Sequence, residues 1–333
     1  MNKNSKKIKK KKKNKFSWKL FTGFIIFEII FTIATAPIIA YYGPFKNVTK
    51  TLVGSAMTTL SHQWIATSFL SQERIDSILG GHNDESVKQD LSSNDIKLPK
   101  NHDENIDRKD IHKPGKFKGY ILIVNDPTRV KVGYTSKLYK EGQLTSEMAR
   151  DKEAVAAING GSFEDTNGGK KWTGTGANPK GLILADGEII HNDLVDGEER
   201  DMVALTKEGR LLVGPYSVAE LKKLGATEAV SFGPAVIVNG KRVNVEGWGS
   251  APRTAIGQRE DGAIIMLVTE GRSFTGIGAT LEDIQDAMLE CGAVNATNLD
   301  GGSSSTMYYE DEVINTPSDS TGERTGASCM YVK

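Results

Sequence analysis

Between Lys19 and Gly43 the chain runs for 23 residues, Leu20 to Tyr42, with one charged side chain, Glu28. At about 1.5 Å per helical residue this run matches a hydrocarbon core of roughly 30 Å. The first 19 residues hold ten lysines and no acid. Lysines at one end of a span place that end in the cytoplasm, so the bulk of the chain is expected outside. They also attract anionic lipid, which makes membrane lipid an expected partner of this end. A cleaved signal peptide is the rival reading, since Ala34-Thr35-Ala36 has the character of a cleavage site. Pro37 follows directly and disfavours cutting, so the run is read as an uncleaved signal anchor.

A formal net charge of zero conceals this arrangement. Residues 20–333 carry 32 basic against 42 acidic side chains, and residues 115–333 carry 23 against 31. No dense Lys/Arg field follows the head, so nucleic acid is not an expected partner. An acidic body does not draw in an anionic polymer by its overall field either. Recognition of such a polymer has to come from local arginines and backbone amides.

The spacing divides the chain into a lysine-rich cytoplasmic head (1–19), a transmembrane anchor (20–42), a stalk and linker (43–114) and a catalytic domain (115–333). Residues 51–79 have loosely helical apolar spacing, and residues 82–114 are polar enough to read as linker. His62, His82, His102 and His112 lack metal-ligand spacing and are expected to be solvated. From about Lys116, short apolar runs alternate with glycine turns, and 30 of the 35 glycines lie in 115–333. Candidate strands are 120–124, 154–158, 181–184, 202–206, 210–213, 235–238, 254–258, 263–268, 298–299 with 307–309, and 327–332. Asp186-Gly187, Glu208-Gly209, Asn239-Gly240 and Asp261-Gly262 mark hairpins. Ser217 with Glu220, and Thr280 with Asp283, are capping pairs that predict helices over 217–224 and 280–291. The fold class is therefore α+β, a mixed, strand-rich sheet domain with a few helices. Cys291 and Cys329 either pair or remain separate thiols.

Four segments put polar side chains and glycines straight after an apolar strand, where a rigid scaffold presents functional groups. Asn159-Gly160-Gly161-Ser162, with Glu164 and Asp165 beyond, combines backbone access with an amide and carboxylates. Arg253, after Ala251-Pro252, offers a guanidinium for phosphate or carboxylate, or a structural ion pair. Glu270-Gly271-Arg272 ends another strand with a carboxylate and an arginine. Asn298-Leu299-Asp300-Gly301-Gly302-Ser303 joins a carboxylate to a turn whose amides predict an anion nest, with hydroxyls at Ser303 to Thr306. The chain lacks the P-loop, the Gly-x-Ser-x-Gly elbow, the zinc-protease helix and the EF-hand loop, so no metal or cofactor is expected. The inventory fits sugar or phosphate chemistry by carboxylate and arginine.

Taken together, Ala157-Ile-Asn-Gly-Gly-Ser-Phe163, Phe232-Gly-Pro-Ala-Val-Ile-Val-Asn-Gly240, Ala251-Pro-Arg-Thr-Ala-Ile-Gly257, Glu270-Gly-Arg272 and Asn298-Leu-Asp-Gly-Gly-Ser-Ser-Ser-Thr306 resemble the phosphodiester glycosidase family over roughly 115–333. The head, anchor and stalk resemble membrane-anchored Gram-positive members associated with exopolysaccharide biosynthesis. The resemblance implies hydrolysis of a sugar 1-phosphodiester in a wall, capsule or exopolysaccharide polymer. It implies catalytic roles for Asp300, Glu270, Asn159 and Arg253, and substrate contacts from Arg272, Gly160, Gly161, Gly301, Gly302, Ser303 and Glu164. Family members more often have Asp where this chain has Glu270, and a third glycine where it has Ser303. The competing classes are a non-catalytic module binding an anionic polysaccharide and an assembly partner in exopolysaccharide biosynthesis.

Overall fold

The computed structural model describes residues 17–57, 63–79, 87–92, 96–164, 166–167, 170–171, 174–245, 248–270, 276, 278–319 and 321–333. The chain forms two compact units, Met1–Lys46 and Asn47–Lys333. In the first, Trp18–Tyr42 is one helix, long and apolar enough to cross a membrane by length and composition. The Ser17 side chain caps its start, and it passes through Pro37 without ending.

Beyond that helix come the helices Lys46–Met57, whose first residue still belongs to the first unit, Trp64–Thr67 and Gln72–Leu79, where the sequence suggested looser helical character. The rest is built from three main sheets around one core. The largest has seven strands, in the order 106–113, 117–124, 264–269, 254–259, 293–299, 235–238 and 241–242. A five-stranded sheet contains Leu211–Tyr216, Arg200–Thr206, Ala226–Ser231, Leu182–Ala185 and Glu188–Asn192. The third contains 312–313, Met307–Tyr309, Ala156–Asn159, Ser328–Val332 and Val130–Tyr134. Leu122, Ile158, Val203, Val230, Ile256, Met266 and Met330 come from all three sheets and meet in the same buried cluster. Burying an aliphatic side chain of this kind contributes about 1.5–3 kcal/mol, which sets the scale of what holds the sheets together.

Outside this core, Met148 and Ala149 of Thr145–Asp151 pack on the third sheet with Tyr308 and Tyr331. Val218–Lys223 and Leu281–Glu290 start with the capping pairs read from the sequence, Ser217 with Glu220 and Thr280 with Asp283. The expected α+β, strand-rich class is the one observed.

Part of the stretch expected to be linker is strand. Ile106–Lys113 pairs along its whole length with Phe117–Val124 as the sheet's edge. Only Ile106 and Ile111 are apolar there. Edge strands are commonly charged on their open side, so this one has the composition of a solvated connector. His102 is also not simply solvated, because its Nδ1 lies 2.6 Å from the buried Asp126 Oδ2. Val130–Tyr134, Ala226–Ser231 and Glu188–Asn192 are strands that the apolar pattern did not reveal. Glu228 interrupts the middle one, buried and paired at 3.1 Å with Lys131. Both cysteines are free thiols. Burial pushes the Cys329 thiol up to about 12, so it behaves as a small core residue.

Candidate active site

The site is set by register. Thr254 lies opposite both Val268 and Leu299 on the neighbouring antiparallel strands. Arg253 therefore enters the middle strand at the same edge where Glu270 and Asp300 leave its two neighbours. With strands about 4.8 Å apart, the Glu270 and Asp300 backbones are roughly 10 Å apart, with Arg253 between them. The ladder continues past the strands through Arg253 N–H to Thr269 Oγ1 (2.9 Å) and Thr269 N–H to the Arg253 carbonyl (2.8 Å).

Arg253 is 5% exposed. Its Nε donates to the Ala279 carbonyl at 3.3 Å, its Nη2 donates to the Gly249 carbonyl, and the guanidinium lies 5.7 Å from the Trp248 ring centroid. Among the described residues no carboxylate forms an ion pair with it. Burial pulls it down to about 10, partly offset by Glu282, so it stays cationic at neutral pH. A buried charge without a counter-ion is costly, and an anionic ligand would supply one.

Glu270 is half-buried. Its Oε1 accepts from Tyr120 Oη (2.9 Å) and from the Thr316 amide (3.3 Å). Asp300 is held through its backbone. Its N–H donates to the Gly160 carbonyl (3.2 Å), its carbonyl accepts from Asn159 Nδ2 (2.6 Å), and its Oδ1 accepts from the Gly301 amide (3.0 Å).

Asn159, expected to be catalytic, is bonded through both its amide nitrogen and its amide oxygen. Besides the bond to Asp300, its Oδ1 accepts from Thr254 Oγ1 (2.7 Å) and from the Thr306 amide (3.1 Å). One side chain thus ties the end of a third-sheet strand to two elements of the seven-stranded sheet. Gly160 and Gly161 lie close against other parts of the chain. A Cβ at 160 would lie 2.5 Å from Ser328 Oγ, and one at 161 would lie 2.8 Å from Val230 Cβ. The anion nest expected after Asp300 is largely closed. The amides of Gly301, Gly302, Ser304, Ser305 and Thr306 all bond within the protein, Gly302 to the Pro252 carbonyl at 2.9 Å. Gly302 has φ +63, which suits glycine, while Gly301 runs close against the Pro252 carbonyl. Ser303 is buried beneath the turn.

Glu164 stays exposed and takes Asn178 Nδ2 at 3.3 Å. Arg272 and Asp165 lie outside the described residues. Sequence reasoning missed the roles of Tyr120, Thr254 and Thr316. Tyr120 lies on a strand 150 positions from Glu270, and only strand order brings the two together. The hydroxyls of Ser304, Ser305 and Thr306 and Asn298 Oδ1 are buried without a hydrogen-bond partner among the described residues, so this turn keeps open polar valences. Among the described residues no three His, Cys, Asp or Glu side chains gather as a metal site.

Arg253, Glu270 and Asp300 thus share one edge of the seven-stranded sheet. The sequence model of the phosphodiester glycosidase family matches residues 152–333, and the chain belongs to that family. It is 29% identical over 206 residues to the SPbeta prophage-derived uncharacterized protein YomE of Bacillus subtilis (strain 168), covering 58% of this chain and 29% of the relative. It is 26% identical over 202 residues to N-acetylglucosamine-1-phosphodiester alpha-N-acetylglucosaminidase of Bos taurus, covering 54% of this chain and 36% of that one. The chain thus spans about a third of the length of these relatives. Its fold is similar to the catalytic domain of the zebrafish N-acetylglucosamine-1-phosphodiester alpha-N-acetylglucosaminidase, auto-inhibited by its pro-peptide. That likeness has a TM-score of 0.58 at 21% identity, covering 71% of this chain and 86% of that one.

Proposed function

We propose that this chain is a membrane-anchored, extracellular hydrolase that cleaves a sugar 1-phosphodiester, releasing an N-acetylglucosamine-like sugar from phosphate in a wall, capsule or exopolysaccharide polymer. The observation that carries this reading is Arg253, a buried guanidinium without a described counter-ion, set between Glu270 and Asp300. Family membership and the bovine relative's named activity support it.

A phosphodiester departs as a stable anion, so charge stabilisation matters more than acid catalysis. Arg253 holds the departing phosphate, with Arg272 as a second cation. The bond between the anomeric carbon and the phosphate oxygen breaks, and its electron pair leaves with the phosphate. Asp300 supports the positive charge on the anomeric carbon. Glu270 Oε2, which carries no hydrogen bond among the described residues, takes the proton from the water that adds there. The Asn159 amide and the glycines at 160, 161, 301 and 302 fix the frame, and Ser303 and Glu164 belong to its borders. The lysine head (1–19) stays in the cytoplasm, the apolar helix anchors the chain, and the sheets lie outside.

The test uses the full chain in detergent with N-acetyl-α-glucosaminyl methyl phosphate and with wall-polymer fragments, following release of free sugar. Asp300→Asn is expected to lower turnover by about 10³-fold or more while the protein stays folded. Wild-type turnover in folded Asp300→Asn removes Asp300 from the mechanism. Affinity without product identifies a binding module instead. Protease added to intact cells should cut residues beyond the anchor and spare the head.

A further inference from the structure

We infer that Tyr120 and the Thr316 amide form a clamp that aims Glu270, making Tyr120 a positioning residue of the reaction. The inference rests on the proposed role of Glu270 and adds what fixes its geometry. Both donors converge on one oxygen, Oε1, at 2.9 and 3.3 Å. A carboxylate with one oxygen held by two donors from different elements cannot rotate freely, so its second oxygen points in one direction. Oε2 makes no hydrogen bond to a described residue, and Glu270 is half-buried rather than enclosed, as a group that must take a proton from water requires.

The clamp is itself braced. Tyr120 sits on Phe117–Val124 opposite Val268, two residues before Glu270. The Glu270 amide donates to the Lys118 carbonyl at 2.7 Å, which carries the pairing of these strands to the carboxylate's own backbone. The Arg108 guanidinium lies 5.5 Å from the Tyr120 ring centroid and is fixed by Asp110 at 2.9 Å. Burial, followed by the Glu270 carboxylate, pushes the Tyr120 phenol up to about 12, so it remains a donor wherever the enzyme is assayed. Thr316 approaches from the chain beyond the hydroxyl turn, anchored by Asn315. That amide bonds the Ser305 carbonyl and the Met307 N–H at 2.9 and 2.7 Å. The segment after Asp300 therefore reaches across and holds the other carboxylate, which couples the two acids mechanically.

The experiment is steady-state hydrolysis of N-acetyl-α-glucosaminyl methyl phosphate by the full chain in detergent, with thermal midpoints measured alongside. Tyr120→Phe keeps the ring and removes the donor. It is expected to lower kcat about 10-fold with KM and thermal midpoint unchanged. Thr316→Pro removes the amide hydrogen and Thr316→Ala keeps it, so the ratio of their kcat values reads the second bond. With both bonds gone the loss should be on the order of 10²-fold, the scale of an ångström-level misplacement of a reacting group. Glu270→Gln separates the two ideas. If it retains wild-type kcat, the role of Glu270 falls and the clamp with it. If it is inactive while Tyr120→Phe turns over at the wild-type kcat, the clamp alone is overturned. A kcat loss in Tyr120→Phe that only follows a lowered thermal midpoint, with Thr316→Pro equal to Thr316→Ala, likewise overturns it.

Discussion

The three central strands of the seven-stranded sheet are finished differently at their two ends. At one end, Arg253, Glu270 and Asp300 stand at one edge, beside a turn whose Ser304, Ser305 and Thr306 hydroxyls have no hydrogen-bond partner among the described residues. At the other, the segment before the first sheet strand closes the turns. Lys97 donates from its backbone to the Glu260 carbonyl at 2.7 Å and from its ammonium to the Glu260 carboxylate at 2.7 Å. Asp90 and Asn239 exchange backbone and side-chain bonds at 2.9 and 2.7 Å. On the adjoining sheet, buried Gln89 acts as an extra peptide unit, accepting from Val213 N–H at 3.0 Å and donating to the Leu211 carbonyl at 3.4 Å. Each backbone group satisfied there stabilises the fold, whereas the turn at the opposite edge holds buried hydroxyls without a partner among the described residues. The closed turns and the candidate site thus lie at opposite ends of the sheet.

Substitutions can test that division. Asn159→Ala is expected to blur it most, because the residue serves both purposes. Losing three hydrogen bonds at a buried position should cost about 2–4 kcal/mol, read by urea unfolding, and should lower kcat as Asp300 loses its backbone restraint. Unchanged stability would mean that the two sheets do not depend on this amide. Gln89→Ala is expected to sharpen the division. It should lose about 1–2 kcal/mol of stability while kcat and KM stay at wild-type values. A fall in kcat matching that of Asn159→Ala would merge the two ends.

The smallest effect concerns acid. Burial pushes Asp126 up, but the Thr128 hydroxyl and amide and the His102 ring outweigh it and hold the carboxyl below its ordinary 3.8. A depressed value in the folded state contributes stability that is complete above the unfolded value and is lost as pH falls through the folded one. Asp126→Asn should therefore flatten the decline in urea midpoint below about pH 4 and leave the neutral-pH rate unchanged. An acid limb as steep as wild type would remove Asp126 from that linkage.

The legible parts of this molecule were those fixed by local chemistry. Asn239-Gly240 forms the turn its dipeptide favours, with φ values of 50° and 74°. Arg253, Glu270 and Asp300 could be picked out because each borders an apolar run next to a proline or glycine. What strand order alone decides stayed hidden. Nothing near Asn159 shows that its amide would be spent on Thr254, Thr306 and Asp300, far along the chain. Nothing near Tyr120 announces Glu270. The turn after Asp300 has the composition of an open nest, yet the Gly302 and Thr306 amides find partners in Pro252 and Asn159, which only the tertiary fold supplies. Ile106–Lys113 was obscured for another reason, since a charged edge strand and a solvated connector share one composition.

That edge strand has a practical side. A shortened chain beginning at Gly115 would leave Phe117–Val124 with a row of bare peptide groups along an apolar ribbon. Such a margin invites sheet-to-sheet stacking between copies. It would also remove the Arg108 side chain from above Tyr120. Anyone expressing the enzymatic part alone should start upstream of Val87, or expect inclusion bodies and a slack carboxylate from a sequence that still contains every reacting group.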